Sequence, residues 1–173
     1  MGLVLASSLG MPCKAWADET EKLLRRIHAL NQAVIKAASL AKQHAGRNDV
    51  RSYGRLLEMD HRYADYQVLK LAKDEQLALT PPASDDSEET KRQQQLNDGI
   101  AELEALRGAE FDLAFLRTMR SAHTTSIDML SSAQRYADPH LLKLLDRMIP
   151  ILEQHVELAV HLAGSTEQAE AER

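Results

Sequence analysis

The chain has 173 residues, with only seven glycines, 4% aromatic side chains and a formal net charge of −5. It is long enough for one domain with a sizeable core, and its abundance of Ala, Leu, Glu, Gln, Lys and Arg favours an all-α protein. Charges of both signs are interspersed without a basic stripe, which argues against nucleic-acid binding. No apolar stretch reaches the ~20 residues of a membrane span, and no phosphate loop or Ser-His-Asp spacing indicates an enzyme class.

The N-terminal residues have the pattern of a secretory signal peptide. An apolar run over residues 2–12 is followed by Ala15-Trp16-Ala17, a small-x-small cleavage pattern, and then by the acidic Asp18. Cleavage after Ala17 would remove Cys13, the only cysteine, and with it disulfides and thiolate metal sites. The alternative is that the run caps the first helix. We expect a periplasmic or secreted protein divided into a signal peptide, one helical domain and a polar tail: residues 1–17, 18–164 and 165–173.

Apolar residues at spacings of three and four predict four long helices, with a shorter connecting helix between the second and the third. In chain order these helices span residues 19–44, 48–79, 91–107, 109–136 and 139–162. Gly46 and Gly164 are typical of residues just past a helix C-terminus, and Pro81 ends the second helix. Pro150 predicts a kink in the last helix. The segment 83–89 is expected to be an exposed loop.

The lengths of the links predict the topology of the bundle. Short turns join the first long helix to the second and the third to the fourth, which makes each pair antiparallel. The long connection between the second and third helices can cross the length of the bundle, as in ferritin-like folds, and would make these two helices parallel. The alternative is a simple up-down topology in which they are antiparallel. The sequence therefore predicts a ferritin-like four-helix bundle.

Three histidines, His61, His123 and His155, occupy positions where a helical core expects leucine. Each lies in an apolar stripe on a different long helix, so each imidazole faces the core and needs a partner there. With the second and third helices parallel, the three lie at one level to within about one turn, ~5 Å. This arrangement predicts a transition-metal site for Zn, Cu or Fe, because imidazole binds all three. The alternative is a polar cluster in which the histidines bond to aspartates or helix carbonyls.

Two acidic residues near His61, Glu58 and Asp60, are candidates for carboxylates that support a metal-binding histidine through a hydrogen bond. Glu58 also has the Glu-x-x-His spacing of di-iron proteins. The other two histidine-bearing helices, however, have Leu152 and Arg120 where that glutamate should be. The sequence therefore argues against a di-iron site.

The remaining candidates are expected to have structural roles. Phe111 and Asp112 are expected to anchor and cap the start of the third long helix. Four methionines are expected to fill the core, although a thioether near a histidine also suits Cu⁺: Met59, Met119, Met129 and Met148. Four further histidines are expected at the surface or its boundary: His28, His44, His140 and His161.

A series of short motifs runs in order through about two thirds of the chain: Met59-Asp60-His61, Thr80-Pro81-Pro82, Phe111-Asp112, Phe115-Leu116, Met119, His123 and Ile149-Pro150-x-Leu152-x-x-His155. With these motifs the segment 49–162 resembles a bacterial family of ferritin-like helical domains of unknown function, often labelled "predicted outer membrane protein". The resemblance implies an exported bundle whose recurring histidines stand at His61, His123 and His155. It implies no established activity.

We interpret the chain as an exported, non-enzymatic helical bundle that binds a transition metal through its three core histidines. The alternative is a helical interaction or stress-related module in which these histidines are structural. A metal-dependent enzyme ranks last. The sequence identifies neither a protein partner nor an oligomeric state.

Overall fold

A computed structural model describes residues 13–79 and 87–171, which fold into five α-helices. In chain order these are α1 (Cys13–His44), α2 (Asn48–Asp74), α3 (Ser87–Ala105), α4 (Gly108–Ala133) and α5 (Pro139–Ala171). Over these two ranges there is no β-strand, and the only strand-like contact is an isolated bridge between Ala45 and Gly108. The predicted all-α class is confirmed.

The four long helices form a bundle in which each contacts two others. α1 packs against α2 and α4, α5 packs against the same two helices, and the shorter α3 packs on α1 and α4. Asp112, near the start of α4, bonds to the backbone of Gly46 and Arg47, just before α2. α2 and α4 therefore begin at the same end and run parallel, as the long connection predicts. The finer assignment to ferritin-like bundles stays a prediction.

The core consists of two apolar clusters with a layer of histidines between them. One cluster, which includes Leu57 and Phe115, fills the end of the bundle where α2 and α4 begin. The other, which includes Val68 and Leu130, fills the opposite end. On each of α2, α4 and α5, one buried histidine lies between the residues of the two clusters. The histidines are thus sealed by apolar packing from both ends of the bundle.

One end of the bundle is fastened by a contact that we call the Asp112 clamp. One carboxylate oxygen of Asp112 accepts the N–H of Gly46 at 3.0 Å, and the other accepts the N–H of Arg47 at 2.9 Å. A Cβ added to Gly46 would lie 3.0 Å from the carbonyl carbon of Gly108, so the close approach needs a glycine. The predicted structural role of Asp112 is confirmed, but it serves the start of α2 rather than its own helix.

Two helix C-termini differ from the predictions. α2 ends at Asp74 rather than at residue 79, and Gln76 just beyond it has a φ of 57°. α5 continues through Gly164 to Ala171, and Pro150 does not interrupt it. A glycine with ordinary helical φ weakens a helix by only about 1 kcal/mol, so it does not have to end one. The predicted end at Gly164 is therefore wrong.

The N-terminal and loop predictions are only partly covered by the structure. α1 begins at Cys13, before the predicted cleavage point, and residues 1–12 of the predicted signal peptide lie outside the described ranges. Residues 80–86 also lie outside them, and with them Pro81 and part of the predicted loop. α3 begins at Ser87, inside that predicted loop.

Two burial predictions are wrong. Met59 is 62% exposed and lies beside Tyr63 and Tyr66 on the outer face of α2, because its position falls outside the apolar stripe of that helix. His44 is buried against Phe111, with ring centroids 5.4 Å apart. None of the helices in the described ranges combines the length and the apolarity needed to cross a membrane.

Candidate metal centre

The three predicted histidines meet in the middle of the bundle. α2 contributes His61, α4 contributes His123 and α5 contributes His155, and their exposed fractions are 5%, 1% and 0%. Their ring centroids lie 5.1–5.5 Å apart. One ring nitrogen from each histidine lies within 4.8 Å of the other two. The predicted proximity of the three histidines is confirmed. Their positions along the three helices place them at the same level of the bundle.

The hydrogen bonds of His61 and His123 determine which of their nitrogens are available. His61 Nδ1 lies 2.8 Å from Asn31 Oδ1, and His123 Nδ1 lies 2.5 Å from the Met119 carbonyl oxygen. Both oxygens are acceptors, so each Nδ1 carries the hydrogen and each neutral ring keeps a lone pair on Nε2. The two Nε2 atoms are 3.0 Å apart. Two acceptors therefore face one another at this distance, an unfavourable arrangement that a cation between them would relieve.

His155 also has one engaged and one unengaged ring nitrogen. Its Nε2 lies 3.0 Å from Asp60 Oδ2, and because a carboxylate only accepts, Nε2 carries the hydrogen. Its Nδ1 is buried and has no hydrogen-bond partner among the described residues. The Tyr53 hydroxyl donates to the carbonyl oxygen of His155 at 2.9 Å and fixes the backbone there. An unpartnered buried acceptor is costly, and an ion at this position would satisfy it.

Burial keeps the three imidazoles neutral. It lowers the pKa of His123 to about 4 and the pKa of His61 well below its ordinary value, with a further decrease for His61 from its two neighbouring histidines. Burial also lowers the pKa of His155, although the Asp60 carboxylate opposes that shift. The neutral imidazole is the form that binds metals. The site is therefore ready for a cation near pH 7.

The distance between His61 and His123 suits two ligands of a single ion with a small adjustment. Two nitrogens held at about 2.0–2.1 Å from one ion with a tetrahedral angle between them lie roughly 3.3–3.4 Å apart. The 3.0 Å between the Nε2 atoms of His61 and His123 has to widen by only a few tenths of an ångström. The donor set of three neutral imidazoles, with no carboxylate in contact with the ion position, suits one transition-metal ion rather than a di-iron centre.

Two crevices approach the histidines from opposite sides, and Met148 and Leu152 line both of them. The crevice beside α1 and α4 also contains Asn31, Met119 and Met129. The crevice between α2 and α5 is more polar and is lined by residues that include Asp60, Tyr63, Gln67 and Arg147. The thioethers of Met119, Met129 and Met148 thus lie around the first crevice. This position is compatible with the expected role of these methionines as core fillers.

The two candidate carboxylates have different partners from those expected. Asp60 supports His155 rather than its sequence neighbour His61, because adjacent helical positions point about 100° apart. Glu58 bonds to Lys42 at 2.6 Å and to Arg62 at 2.8 Å, on the outer side of α2. The expectation that Glu58 supports the metal site is therefore wrong. The alternative of a polar cluster is partly met, since one aspartate and one helix carbonyl do bond to the triad.

Sequence reasoning missed Asn31, the partner of His61. It is only 2% exposed and lies on the inner face of α1, between Ile27 and Val34. The signal that could have revealed it is the one that revealed the histidines, a polar side chain at an apolar position of a helical stripe. The carbonyl of Met119 could not have been found in this way, because every helical residue has one.

The family comparison covers most of the chain. The profile of the family described as "Domain of unknown function (DUF4142)" matches residues 8–162. No functionally curated protein matches the chain. Sequence relatives therefore supply a family but no activity.

Three solved structures share the fold. A DUF305 fragment from Deinococcus radiodurans is 15% identical, with a TM-score of 0.75 over 85% of this chain and 96% of that chain. The "putative secreted protein DUF305" from Streptomyces coelicolor is 13% identical, with a TM-score of 0.72 over 87% of this chain and 94% of that chain. CopM, in its Ag-bound form, is 16% identical, with a TM-score of 0.65 over 84% of this chain and 96% of that chain.

Proposed function

The chain belongs to the DUF4142 family of domains of unknown function, and we propose that it is an exported, non-enzymatic protein that binds one transition-metal ion. The ligands are Nε2 of His61, Nε2 of His123 and Nδ1 of His155. The observation that carries the proposal is the convergence of three buried histidines, with one ring nitrogen of each within 4.8 Å of the others and one nitrogen of each ring engaged as a donor. His61 and His123 direct two acceptors at each other, and the second nitrogen of His155 is without a partner in the described residues, which packing alone does not explain.

Cu⁺ is the ion that this site suits best. The three ligands are neutral, and Asp60 is the carboxylate bonded to the triad within the described residues, so a monovalent ion leaves the layer without net charge. A divalent ion would leave one uncompensated positive charge in an apolar layer, which is costly. The thioether of Met148 lies on both approaches, and thioethers favour Cu⁺ over harder ions. The fold relative CopM was crystallised with silver, whose common ion is monovalent and soft like Cu⁺.

Asp60 is the residue that we propose to tune the site. A carboxylate that accepts the N–H of a metal-binding imidazole fixes its tautomer and increases its basicity. Asp60 is about a quarter exposed at its side chain, whereas His155 is fully buried. The carboxylate therefore stays hydrated on one side while it acts on the buried ring on the other.

Binding without catalysis is the second part of the proposal. A catalytic metal keeps an open position for water or substrate. Here each ligand is at most 5% exposed, and apolar clusters close the layer from both ends of the bundle. This enclosure favours storage, transfer or buffering of an ion over turnover of a substrate.

Export is the third part of the proposal, and the start of α1 supports it. Cleavage after Ala17 would begin the mature chain at Asp18, with Glu19 and Glu21 in the first turn of α1. Acidic residues there interact favourably with the positive end of the helix dipole. Residues 17–19, which flank the predicted cleavage point, are exposed, and burial begins at Thr20 within the part of the chain whose side chains are described. Mass spectrometry of the mature N-terminus, purified from the extracytoplasmic fraction, tests this part. A chain that retains Met1 would contradict it.

The metal proposal is tested on untagged protein. Metal analysis and anaerobic titration with Cu⁺ against a chromogenic chelator are performed on wild type, with Zn²⁺ and Fe²⁺ in parallel. We expect one equivalent of Cu⁺ per chain. His123→Leu should lose it, and His161→Leu, which removes an exposed histidine instead, should keep it. Circular dichroism shows whether each variant folds.

Each outcome has a clear meaning. One equivalent of Zn²⁺ or Fe²⁺ in place of Cu⁺ would keep the site and overturn the choice of ion. A folded wild-type protein that contains no metal and binds none would overturn the proposal. The three histidines would then be packing groups of a helical interaction module.

A further inference from the structure

Asn31 is a member of the histidine layer whose hydrogen bonds do not balance, as His155 is, but it lies outside the proposed ligand set. Its Oδ1 lies 2.8 Å from His61 Nδ1, while its Nδ2, equally buried, has no partner within the described residues. A buried amide donor without an acceptor is rare in proteins and needs an explanation. The same arrangement leaves Nε2 of His61 facing the acceptor Nε2 of His123 at 3.0 Å. Two unfavourable features thus have one origin, the orientation of the Asn31 amide.

A half-turn of this amide about its Cβ–Cγ bond exchanges the positions of Oδ1 and Nδ2. Nδ2 would then donate to His61 Nδ1, and the hydrogen of His61 would move to Nε2. His61 Nε2–H would donate to His123 Nε2, and His123 would keep its bond to the Met119 carbonyl. This second arrangement connects the layer by hydrogen bonds from α1 to α4. It also removes the lone pair that His61 offers to an ion.

We propose that Asn31 is a positioning residue that selects the tautomer of His61 and turns over when an ion binds. This inference rests on the proposed function. The ion-free arrangement has Asn31 Nδ2 donating to His61 and the His61 hydrogen on Nε2. The ion-ready arrangement, which the structure displays, has Asn31 Oδ1 accepting from His61 Nδ1–H. Loading of the site moves one hydrogen between the nitrogens of one ring and releases none.

The amide is suited to this task because it is both a donor and an acceptor in one planar group. A carboxylate at position 31 could only accept and would hold His61 in the ion-ready arrangement. An aliphatic side chain could do neither and would leave the Nδ1–H of His61 without an acceptor. The neighbouring amide of Gln32 is already engaged with Asp65 at 2.6 Å, so Asn31 is the amide that His61 depends on.

The test compares three variants in the anaerobic Cu⁺ titration. Asn31→Leu should weaken Cu⁺ binding about 10- to 100-fold, the usual effect of losing a partner of a ligating histidine. Asn31→Asp should keep the wild-type affinity or exceed it. Asn48→Asp makes the same chemical change in an exposed residue, 13 residues and ~20 Å along α2 from His61, and should have no effect. If Asn31 were only a packing residue, Asp and Leu would both weaken the site.

A second measurement follows the hydrogen directly in the wild-type protein. Nitrogen-15 NMR of the histidine side chains identifies the protonated nitrogen of each ring, before and after one equivalent of Cu⁺. We expect the His61 hydrogen on Nε2 without Cu⁺ and on Nδ1 with it. The same tautomer in both samples would overturn the inference while leaving the metal site intact. Absence of Cu⁺ binding by wild type would overturn the proposed function itself.

Discussion

The Asp112 clamp and the histidine layer are both buried polar contacts, yet they use their atoms in opposite ways. Asp112 directs its two oxygens to two backbone N–H groups. Each histidine of the layer engages one ring nitrogen in a hydrogen bond from which it donates, and the other nitrogen keeps a lone pair for which the described residues supply no donor. The difference teaches that burial alone does not distinguish a structural contact from a binding site. A binding site is distinguished instead by lone pairs that remain without a donor after the internal hydrogen bonds are assigned.

The two regions should therefore respond differently to change. Damage to the clamp should lower the free energy of unfolding and leave ion binding alone. Damage to the layer should lower ion affinity and change the stability of the metal-free protein less than damage to the clamp does.

The stability of the metal-free protein should fall as the pH decreases from about 6.5 towards 4. Burial lowers the pKa of His123 to about 4, while an unfolded histidine has a pKa of about 6.5. In this window the unfolded chain binds more protons than the native one, so acid favours unfolding. The contribution of His123 alone is on the order of 3 kcal/mol, from roughly 1.4 kcal/mol for each unit of pKa difference. Urea denaturation at pH 7.5, 6.0 and 5.0 measures it.

His123→Leu provides the control for this pH dependence. It removes the lowered pKa and should flatten the stability profile between pH 6.5 and 4. The surface pair of His140 and Glu75 contributes with the opposite sign, because Glu75 raises the pKa of His140, and that pair is unchanged in both proteins. An equally steep profile in the variant would mean that the layer is not kept neutral by burial.

Asp112→Ala should cost about 2–3 kcal/mol of unfolding free energy. Two backbone N–H groups, those of Gly46 and Arg47, would lose their acceptor, and each such loss costs roughly 1–3 kcal/mol when water replaces it poorly. Thermal and urea denaturation report the change. Cu⁺ stoichiometry should remain one per chain. If Asp112→Ala lost the ion and kept its stability, the clamp would be the region needed for ion binding rather than for the fold.

Asp138→Ala is the matched control for the clamp. Asp138 also accepts two backbone N–H groups, those of His140 and Leu141, at the exposed start of α5. Removal of such a cap typically costs about 1 kcal/mol, because water can reach the freed groups. The difference between the two variants measures the effect of burial on the clamp.

Asp60→Asn should weaken Cu⁺ binding about 10-fold while changing stability little. The asparagine can still accept the N–H of His155, but it cannot supply the negative charge that increases the basicity of the ring. Competition titration against a Cu⁺ chelator measures the effect. Unchanged Cu⁺ affinity would mean that the Asp60 contact only orients the His155 ring. The contact would then have a structural role, like that of the Asp112 clamp.

The helical periodicity of the sequence was sufficient to predict the position of the layer. A rise of 1.5 Å per residue, applied from the predicted starts of α2 and α4, brought His61 and His123 to one level. That estimate tolerated errors of several residues in the helix ends, including the wrong end at Gly164, because those errors lie far from the middle of the bundle. The long connection between α2 and α4 allowed either a parallel or an antiparallel course, and the bonds from Asp112 to Gly46 and Arg47 show that the two helices are parallel.

The direction of each ring nitrogen could not be predicted in the same way. The sequence places a histidine on a face, but the choice between Nδ1 and Nε2 depends on side-chain torsions and on partners from other helices. Asp60 was therefore assigned to its neighbour His61 when it serves His155 across the bundle. Met59 was placed in the core because methionine usually packs there, although its helical position faces solvent.

Glu58→Gln is expected to have the smallest effect on stability and on Cu⁺ affinity. It tests whether a carboxylate on α2 that does not contact the histidine layer affects ion binding. The Glu-x-x-His spacing makes Glu58 look like part of a metal site, whereas its carboxylate bonds to Lys42 and Arg62, and these partners lower its pKa. Exposed pairs of this kind contribute at most about 1 kcal/mol, so stability should change by less than that.

Cu⁺ affinity of Glu58→Gln should stay within about 2-fold of wild type in the titration that detects Asp60→Asn. Both variants replace an acid by its amide, two residues apart on α2, but only Asp60 contacts His155. A comparable loss of affinity in Glu58→Gln would attribute both effects to the electrostatic field of α2 rather than to the Asp60 hydrogen bond.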